Sequence, residues 1–305
     1  MTPEFFNSLP AEEFVAALEA ATAQEKRNVF SDPMTPQLVL AACDLILESP
    51  RPDRGLDILE RTGILQQILP EVTAMVNFGD SVKHKDVWVH TLQVVRQTPN
   101  RRVVRWAALL HDIGKVSTRK FTRDGQVTFI GHPEVGARMF ERIARRLPFD
   151  PNIAKEIRFL IAAHLRASAY EEDWTDSAVR RFAKDAGAQL LDLLDLCRAD
   201  ITSKYEEKVR RGLRQINLLA TRLTRILAED AKPKALPKGL GEVLIQRLHI
   251  IPGKRLGDLM KKLTEAVDSG VLPPSAEYDI YVTYVQAHPD LLPPSHCPKE
   301  RSKNL

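Results

Sequence analysis

The 305-residue chain has little cysteine: Cys43, Cys197 and Cys297 stand far apart, with no Cys-x-x-Cys pair. That spacing excludes a disulfide framework and a thiolate zinc site, and it suits a reducing compartment. Long apolar runs are missing as well. Nowhere do roughly 18 apolar residues follow one another, as a membrane-spanning helix requires. The start, Met1-Thr-Pro-Glu-Phe-Phe6, lacks the basic-then-apolar order of an export signal. A cytoplasmic protein with no membrane partner is expected. There is no internal repeat or low-complexity tract, and strand-like patterning is confined to one short stretch.

What is present is a chain with 44% apolar residues, ample for a core. Apolar positions recur three and four apart along almost its whole length, bounded by proline and glycine, so the spacing predicts an all-α protein. The first helices are expected over 10–30, 35–49 and 52–69, with Pro70 closing the last. A second block begins near Asp86, where apolar residues surround His90. The exception to helix is Phe121-Thr-Arg-Asp-Gly-Gln-Val-Thr-Phe-Ile130, whose Asp124-Gly125 pair suits the turn of a small β-hairpin. The hairpin leads to His132, and Pro133 suits the first turn of a helix over 134–146. Later helices carry His164 and Asp200, a long basic helix covers about 204–229, and a smaller helical unit follows over 239–288. The divisions expected are an N-terminal helical unit, 1–80; a central domain, 81–205; a basic helical unit, 206–290; and a disordered tail, 291–305.

The net charge of +4 is unevenly spread. Residues 204–262 hold 15 Lys and Arg against 6 Asp and Glu, a local +9 that leaves −5 elsewhere. Such a stretch is either a surface for a polyanion such as RNA or a solvated helical face.

The most informative string is Trp106-Ala-Ala-Leu-Leu-His-Asp-Ile-Gly-Lys115. A histidine and an aspartate at the end of an apolar helix are costly unless they find partners. Imidazole beside carboxylate is a ligand set for Mn, Fe, Co, Ni or Zn ions. His90, His132, His164 and Asp200 stand in other helical segments, each separated by enough chain to return to a common point. Any one of these histidines could be a core imidazole bonded to a carbonyl. Four of them at apolar helix positions or helix ends are better explained by a shared cation.

His90, His111-Asp112 and Asp200 resemble the HD superfamily of metal-dependent phosphohydrolases. Further strings resemble the HD-containing body of bacterial tRNA nucleotidyltransferases, the CCA-adding enzyme and poly(A) polymerase family. These are Asp86-Val-Trp-Val-His-Thr-Leu92, Leu110-His-Asp-Ile-Gly-Lys115, Gly131-His-Pro-Glu-Val-Gly-Ala137, His164-Leu-Arg166 and Trp174-Thr-Asp-Ser-Ala-Val-Arg-Arg-Phe182. Arg51-Pro-Asp-Arg-Gly-Leu-Asp-Ile-Leu59 and Ile251-Pro-Gly-Lys-Arg-Leu-Gly257 are similar to that family's neck and tail. The resemblance spans roughly residues 50–272. It implies an HD-type helical bundle flanked by neck-like and tail-like units. The Gly-rich turn and paired carboxylates of the family's nucleotidyltransferase head have no counterpart before residue 50, so nucleotide addition by this chain alone is not expected.

The expected metal ligands are therefore His90, His111, Asp112, His132, His164 and Asp200, holding one or two divalent ions: Mn, Ni, Co or Fe first, Mg or Zn second. Asp112 and Lys115 are the catalytic candidates. Lys115 contacts a phosphate oxygen or is a solvated lysine; Arg166 binds phosphate or caps its helix; His84 touches substrate or lies on a surface loop. Asp86 and Asp195 read as caps or solvated groups. The expected activity is metal-dependent hydrolysis of phosphate esters on nucleotides or RNA ends, 2′,3′-cyclic phosphates and 2′-phosphates among them, with tRNA held by 204–262. The competing reading is a non-catalytic tRNA-binding body that assists a separate nucleotidyltransferase. A triphosphohydrolase or alarmone hydrolase would share the centre but has less support in these strings.

Overall fold

The computed structural model describes residues 9–22, 25–26, 35–78, 86–231 and 235–291. The chain divides into two compact units, Met1–Arg225 and Ile226–Leu305. Among the described residues the fold is an all-α bundle with one β-hairpin.

The first unit starts with α1 (Ala11–Ala20), α2 (Pro36–Glu48) and α3 (Pro52–Arg61). Short α4 (Ile64–Ile68) and α5 (Pro70–Thr73) follow. The expected single helix over 52–69 is thus broken. Gly63 takes φ +74°, a left-handed conformation open to glycine, and ends α3 there. The helix expected over 10–30 ends at Ala20 in α1; residues 23–24 and 27–34 lie outside the described residues.

Next come α6 (Val87–Gln97) and α7 (Arg102–Leu110). In α7 every residue from Val104 to Leu110 is buried, the signature of a helix enclosed on all sides. It packs against α2, α6 and two later helices. The Trp106 ring meets Phe149 edge-on, with centroids 5.0 Å apart, and replacing such a side chain with alanine costs about 3–5 kcal/mol. Enclosure of α7 matters for function, because its last turn delivers His111 and Asp112 into the interior.

After one turn of helix, α8 (Lys115–Thr118), the strands β1 (Lys120–Phe121) and β2 (Val127–Thr128) pair antiparallel, Lys120 opposite Thr128 and Phe121 opposite Val127. Gly125 sits in the connecting loop at φ +75°. The hairpin hands over to α9 (His132–Arg146), whose Pro133 lies in the first turn. Then follow α10 (Pro151–Ala163), packed along α9 and α7, α11 (Asp176–Ala186), and α12 (Leu190–Asp200), packed on α7 and α6. Side-chain caps start these helices: Asp86 on α6, Asp150 on α10 and Thr175 on α11 accept backbone N–H bonds.

The long α13 (Glu206–Asp230) contains the division between the units. Its basic residues are not all available. Arg222 and Arg225 bind Asp176 at 2.7 and 3.3 Å and so pin the start of α11. The exposed Arg210, Arg211 and Arg214 have no carboxylate partner among the described residues. The second unit carries α14 (Leu240–Leu248), α15 (Lys254–Asp268) and α16 (Tyr278–Ala287) around their own core of Leu240, Leu244, Leu259, Leu263 and Tyr281. Its Tyr281 hydroxyl donates to the Pro273 carbonyl at 2.6 Å, satisfying a phenol with a buried ring. Among the described residues no helix is long and apolar enough to cross a membrane.

Candidate metal centre

Four helix ends and one helix side converge in the first unit. His111 and His164 follow the last residues of α7 and α10, Asp200 ends α12, His132 opens α9, and His90 projects from α6. Their donor atoms form two groups, His90, His111 and Asp200, and Asp112, His132 and His164, each with all atoms within 4.8 Å of one another. In the first group His90 Nε2 lies 3.2 Å from His111 Nε2 and 3.0 Å from Asp200 Oδ1. In the second, His132 Nε2 lies 3.2 Å from His164 Nε2. Asp112 reaches both, with Oδ2 3.2 Å from His111 Nε2 and Oδ1 3.3 Å from His132 Nε2.

The opposite ring nitrogens explain why the Nε2 atoms face inward. Nδ1 of His111 donates to the Ala108 carbonyl at 2.8 Å, that of His132 to Phe129 at 2.9 Å, and that of His164 to Ile161 at 2.8 Å. His90 Nδ1 meets the Thr202 hydroxyl at 2.8 Å. The three carbonyl-bound rings thereby turn Nε2 inward, the nitrogen that ligates a metal once it is unprotonated.

Two observations test whether a cation fits. First, two pairs of Nε2 atoms lie 3.2 Å apart beside carboxylate oxygens, and the buried Asp112 Oδ1 has no hydrogen-bond partner. Second, the electrostatics call for positive charge. Burial alone would lower the His111 imidazolium, yet the Asp112 and Asp200 carboxylates outweigh it and raise His111 to about 10. Burial, reinforced by charge on His111, lowers His164 to about 4. The donor set fits divalent ions.

A close backbone contact sets the spacing. A Cβ on Gly114 would come within 2.1 Å of the His132 carbonyl oxygen and 2.7 Å of the Gly136 nitrogen. Glycine at 114 therefore lets the turn after Asp112 lie against the start of α9, which brings Asp112 to His132. Lys115 Nζ sits 2.6 Å from Asp112 Oδ2, at the rim of the cluster. Arg166 is placed differently: its guanidinium binds Asp185 at 2.8 Å and lies over the Phe182 ring, rather than bonding any of the six donors. His84 lies outside the described residues. Asp195 is held by Arg101 and by Arg198, at 2.8 Å from the latter, and takes no part. Residue order alone does not signal Thr202 or the Gly114 contact, beyond a hydroxyl standing two residues past Asp200.

This geometry coincides with a family match. Residues 82–205 are an HD domain. Over its body the chain is homologous to tRNA nucleotidyltransferases. It is 32% identical to an A-adding tRNA nucleotidyltransferase of Deinococcus radiodurans over 82% of this chain and 60% of that protein. It is 29% identical to a CC-adding tRNA nucleotidyltransferase of Thermus thermophilus over 78% of this chain and 54% of that one. A multifunctional CCA protein of Shewanella frigidimarina matches at 29% over 57% of this chain and 44% of that one. The chain thus spans about half the length of these relatives. The HD domain brings together the six donors that its sequence displays on separate helices.

Proposed function

We propose that the chain is a divalent-metal-dependent phosphohydrolase acting on nucleotides or RNA ends that carry 2′,3′-cyclic phosphates or 2′-phosphates. One observation carries this reading: the Asp112 carboxylate stands between two groups of inward-facing imidazoles. His90, His111 and Asp200 would hold one ion; Asp112, His132 and His164 would hold another. Manganese, nickel, cobalt or iron suit this set first, magnesium or zinc second. A divalent ion bound there acidifies a water and neutralises charge on phosphoryl oxygens.

The chain's own residues supply orientation and charge. The carbonyls of Ala108, Phe129 and Ile161 hold the rings in one tautomer. Lys115, at the rim, would turn its ammonium from Asp112 to a phosphoryl oxygen. Arg166 would join the substrate by exchanging Asp185 for a phosphate, which its planar fork also fits. His84 completes the proposed substrate set. In this reading residues 81–205 carry the chemistry, 1–80 support them, and 206–290 help to hold RNA in the cytoplasm.

The test is to strip the purified protein with a chelator and restore Mn, Ni, Co, Fe, Mg or Zn singly. Hydrolysis of 2′-, 3′- and cyclic phosphates is then assayed beside Asp112→Ala. Activity in the parent that the variant lacks is expected; equal rates would reject the assignment.

A second reading has an observation of its own. Arg210, Arg211 and Arg214 are exposed and unpaired among the described residues, and the relatives are named for tRNA. The chain would then be a tRNA-binding body assisting a separate nucleotidyltransferase. Salt-sensitive tRNA binding by stripped protein, with no hydrolysis in any metal, would favour it.

A further inference from the structure

A run of aromatic and cationic side chains leads outward from the centre. Lys115, bonded to Asp112, has its Nζ 5.6 Å from the Phe129 ring centroid. Phe129 faces Phe78 at 6.3 Å. The Arg119 guanidinium carbon lies 5.2 Å from the Phe78 ring and 5.1 Å from the Phe121 ring. The order is therefore Lys115, Phe129, Phe78, Arg119, Phe121, and none of the five is fully buried.

Packing alone does not account for this surface. The Phe121 ring, on the first arm of the hairpin, is 66% exposed and meets the Arg119 guanidinium rather than the core. Arg119 Nε is buried with no hydrogen-bond partner. Among the described residues no carboxylate lies within ion-pair distance of Arg119, or of the neighbouring exposed Lys120 and Arg123. Faces of phenyl rings, a planar guanidinium and unpaired cations in one run are what unpaired nucleobases joined by phosphates require. Bases stack on the rings without regard to sequence, and the cations meet the backbone.

We infer that this run is a stacking platform for the unpaired bases of a single-stranded RNA end whose terminal phosphate lies at the Asp112 centre; the position of that phosphate rests on the phosphohydrolase reading. Lys115 meets the phosphate nearest the centre. Phe129 and Phe78 take the first base, and Arg119 and Phe121 take bases further along the strand. A mononucleotide would engage the inner end alone, leaving Arg119 and Phe121 to bases further along a strand. The platform therefore selects RNA ends over mononucleotides.

The test uses the full chain and a labelled single-stranded RNA pentamer with a 3′-terminal phosphate, with fluorescence anisotropy as readout and a nucleoside 3′-monophosphate as competitor. The pentamer is expected to bind at least about tenfold more tightly than the mononucleotide. Phe121→Ala should weaken the pentamer by about tenfold, the effect of losing one stacked base, and leave the mononucleotide unchanged. Phe121→Trp should keep the affinity, and its emission should be quenched when the pentamer binds. Equal affinities for the two ligands would overturn the platform. So would a pentamer affinity indifferent to Phe121→Ala together with an unquenched Phe121→Trp. Hydrolysis of bis(p-nitrophenyl) phosphate, which carries no base, reports separately on the centre. Hydrolysis without pentamer preference removes the platform alone; pentamer preference without hydrolysis in any metal keeps the platform and removes the phosphohydrolase.

Discussion

Two clusters of polar side chains flank the same helix, α7, and they are built on opposite principles. At its start, Arg102 donates from Nε and Nη2 to the two Asp44 oxygens at 2.9 and 2.7 Å, and the Trp106 indole donates to Asp44 at 2.7 Å. Arg105 closes the end of α2 by donating to the Leu47 and Ser49 carbonyls. These donors meet acceptors within the protein, although the buried Arg105 Nε has no hydrogen-bond partner among the described residues. At the other end of α7, ring nitrogens and carboxylate oxygens crowd around Asp112, whose buried Oδ1 has no hydrogen-bond partner. The first cluster joins two helices by setting donors on acceptors; the second gathers four imidazoles and two carboxylates, a donor set that fits divalent ions.

The sharpest way to break that contrast is at Asp112. Asp112→Ala removes the carboxylate that both groups share. It should lower kcat/KM by more than about 100-fold, the upper end seen for outer partners of metal ligands, while far-UV circular dichroism stays that of the parent. Asp44→Ala should do the reverse. It leaves Arg102 and the Trp106 indole without their acceptor and should cost about 2 kcal/mol in urea denaturation, toward the low end for a broken pair because both side chains keep some exposure. That loss should be the same with and without added metal, whereas metal should raise the melting temperature of the parent and not of Asp112→Ala.

Gly114→Ala sharpens the comparison further, since the added methyl collides with the His132 carbonyl and separates the two groups. Manganese affinity, read by titration calorimetry, should fall by about tenfold. The smallest effect is expected on a rim pair. Burial raises the Glu71 carboxyl, but two hydrogen bonds from Arg146, both at 2.9 Å, more than reverse it and hold it below its ordinary value of 4.5. A depressed carboxylate contributes above its unfolded pKa and loses that contribution as the pH falls through the acid range. The parent should therefore lose more stability than Glu71→Gln between pH 5 and pH 3, by less than about 1 kcal/mol in thermal unfolding.

The helices are readable because their apolar spacing agrees with local caps: Asp86, Asp150 with Pro151, and Thr175 all begin helices. The grouping of the six donors was readable for a related reason, since polar groups in apolar segments must share partners. What stayed hidden depends on contacts distant in sequence. The break at Gly63 needs a left-handed backbone that one glycine does not announce. The joint at Asp44 needs α7 to lie across α2. The alignment of Phe78, Phe129 and Arg119 arises when the hairpin folds back beside residue 78. The pairing of Arg166 with Asp185 is hidden because Asp185 lies on another helix.

The ring anchors have a bearing on mutational history. Three of the four imidazoles lean on main-chain oxygens, which every amino acid supplies, so replacement at residues 108, 129 or 161 leaves those tethers in place. His90 alone leans on a side chain, Thr202. Drift in the surrounding sequence can thus loosen one corner of the centre through a single codon while the other three stay fastened.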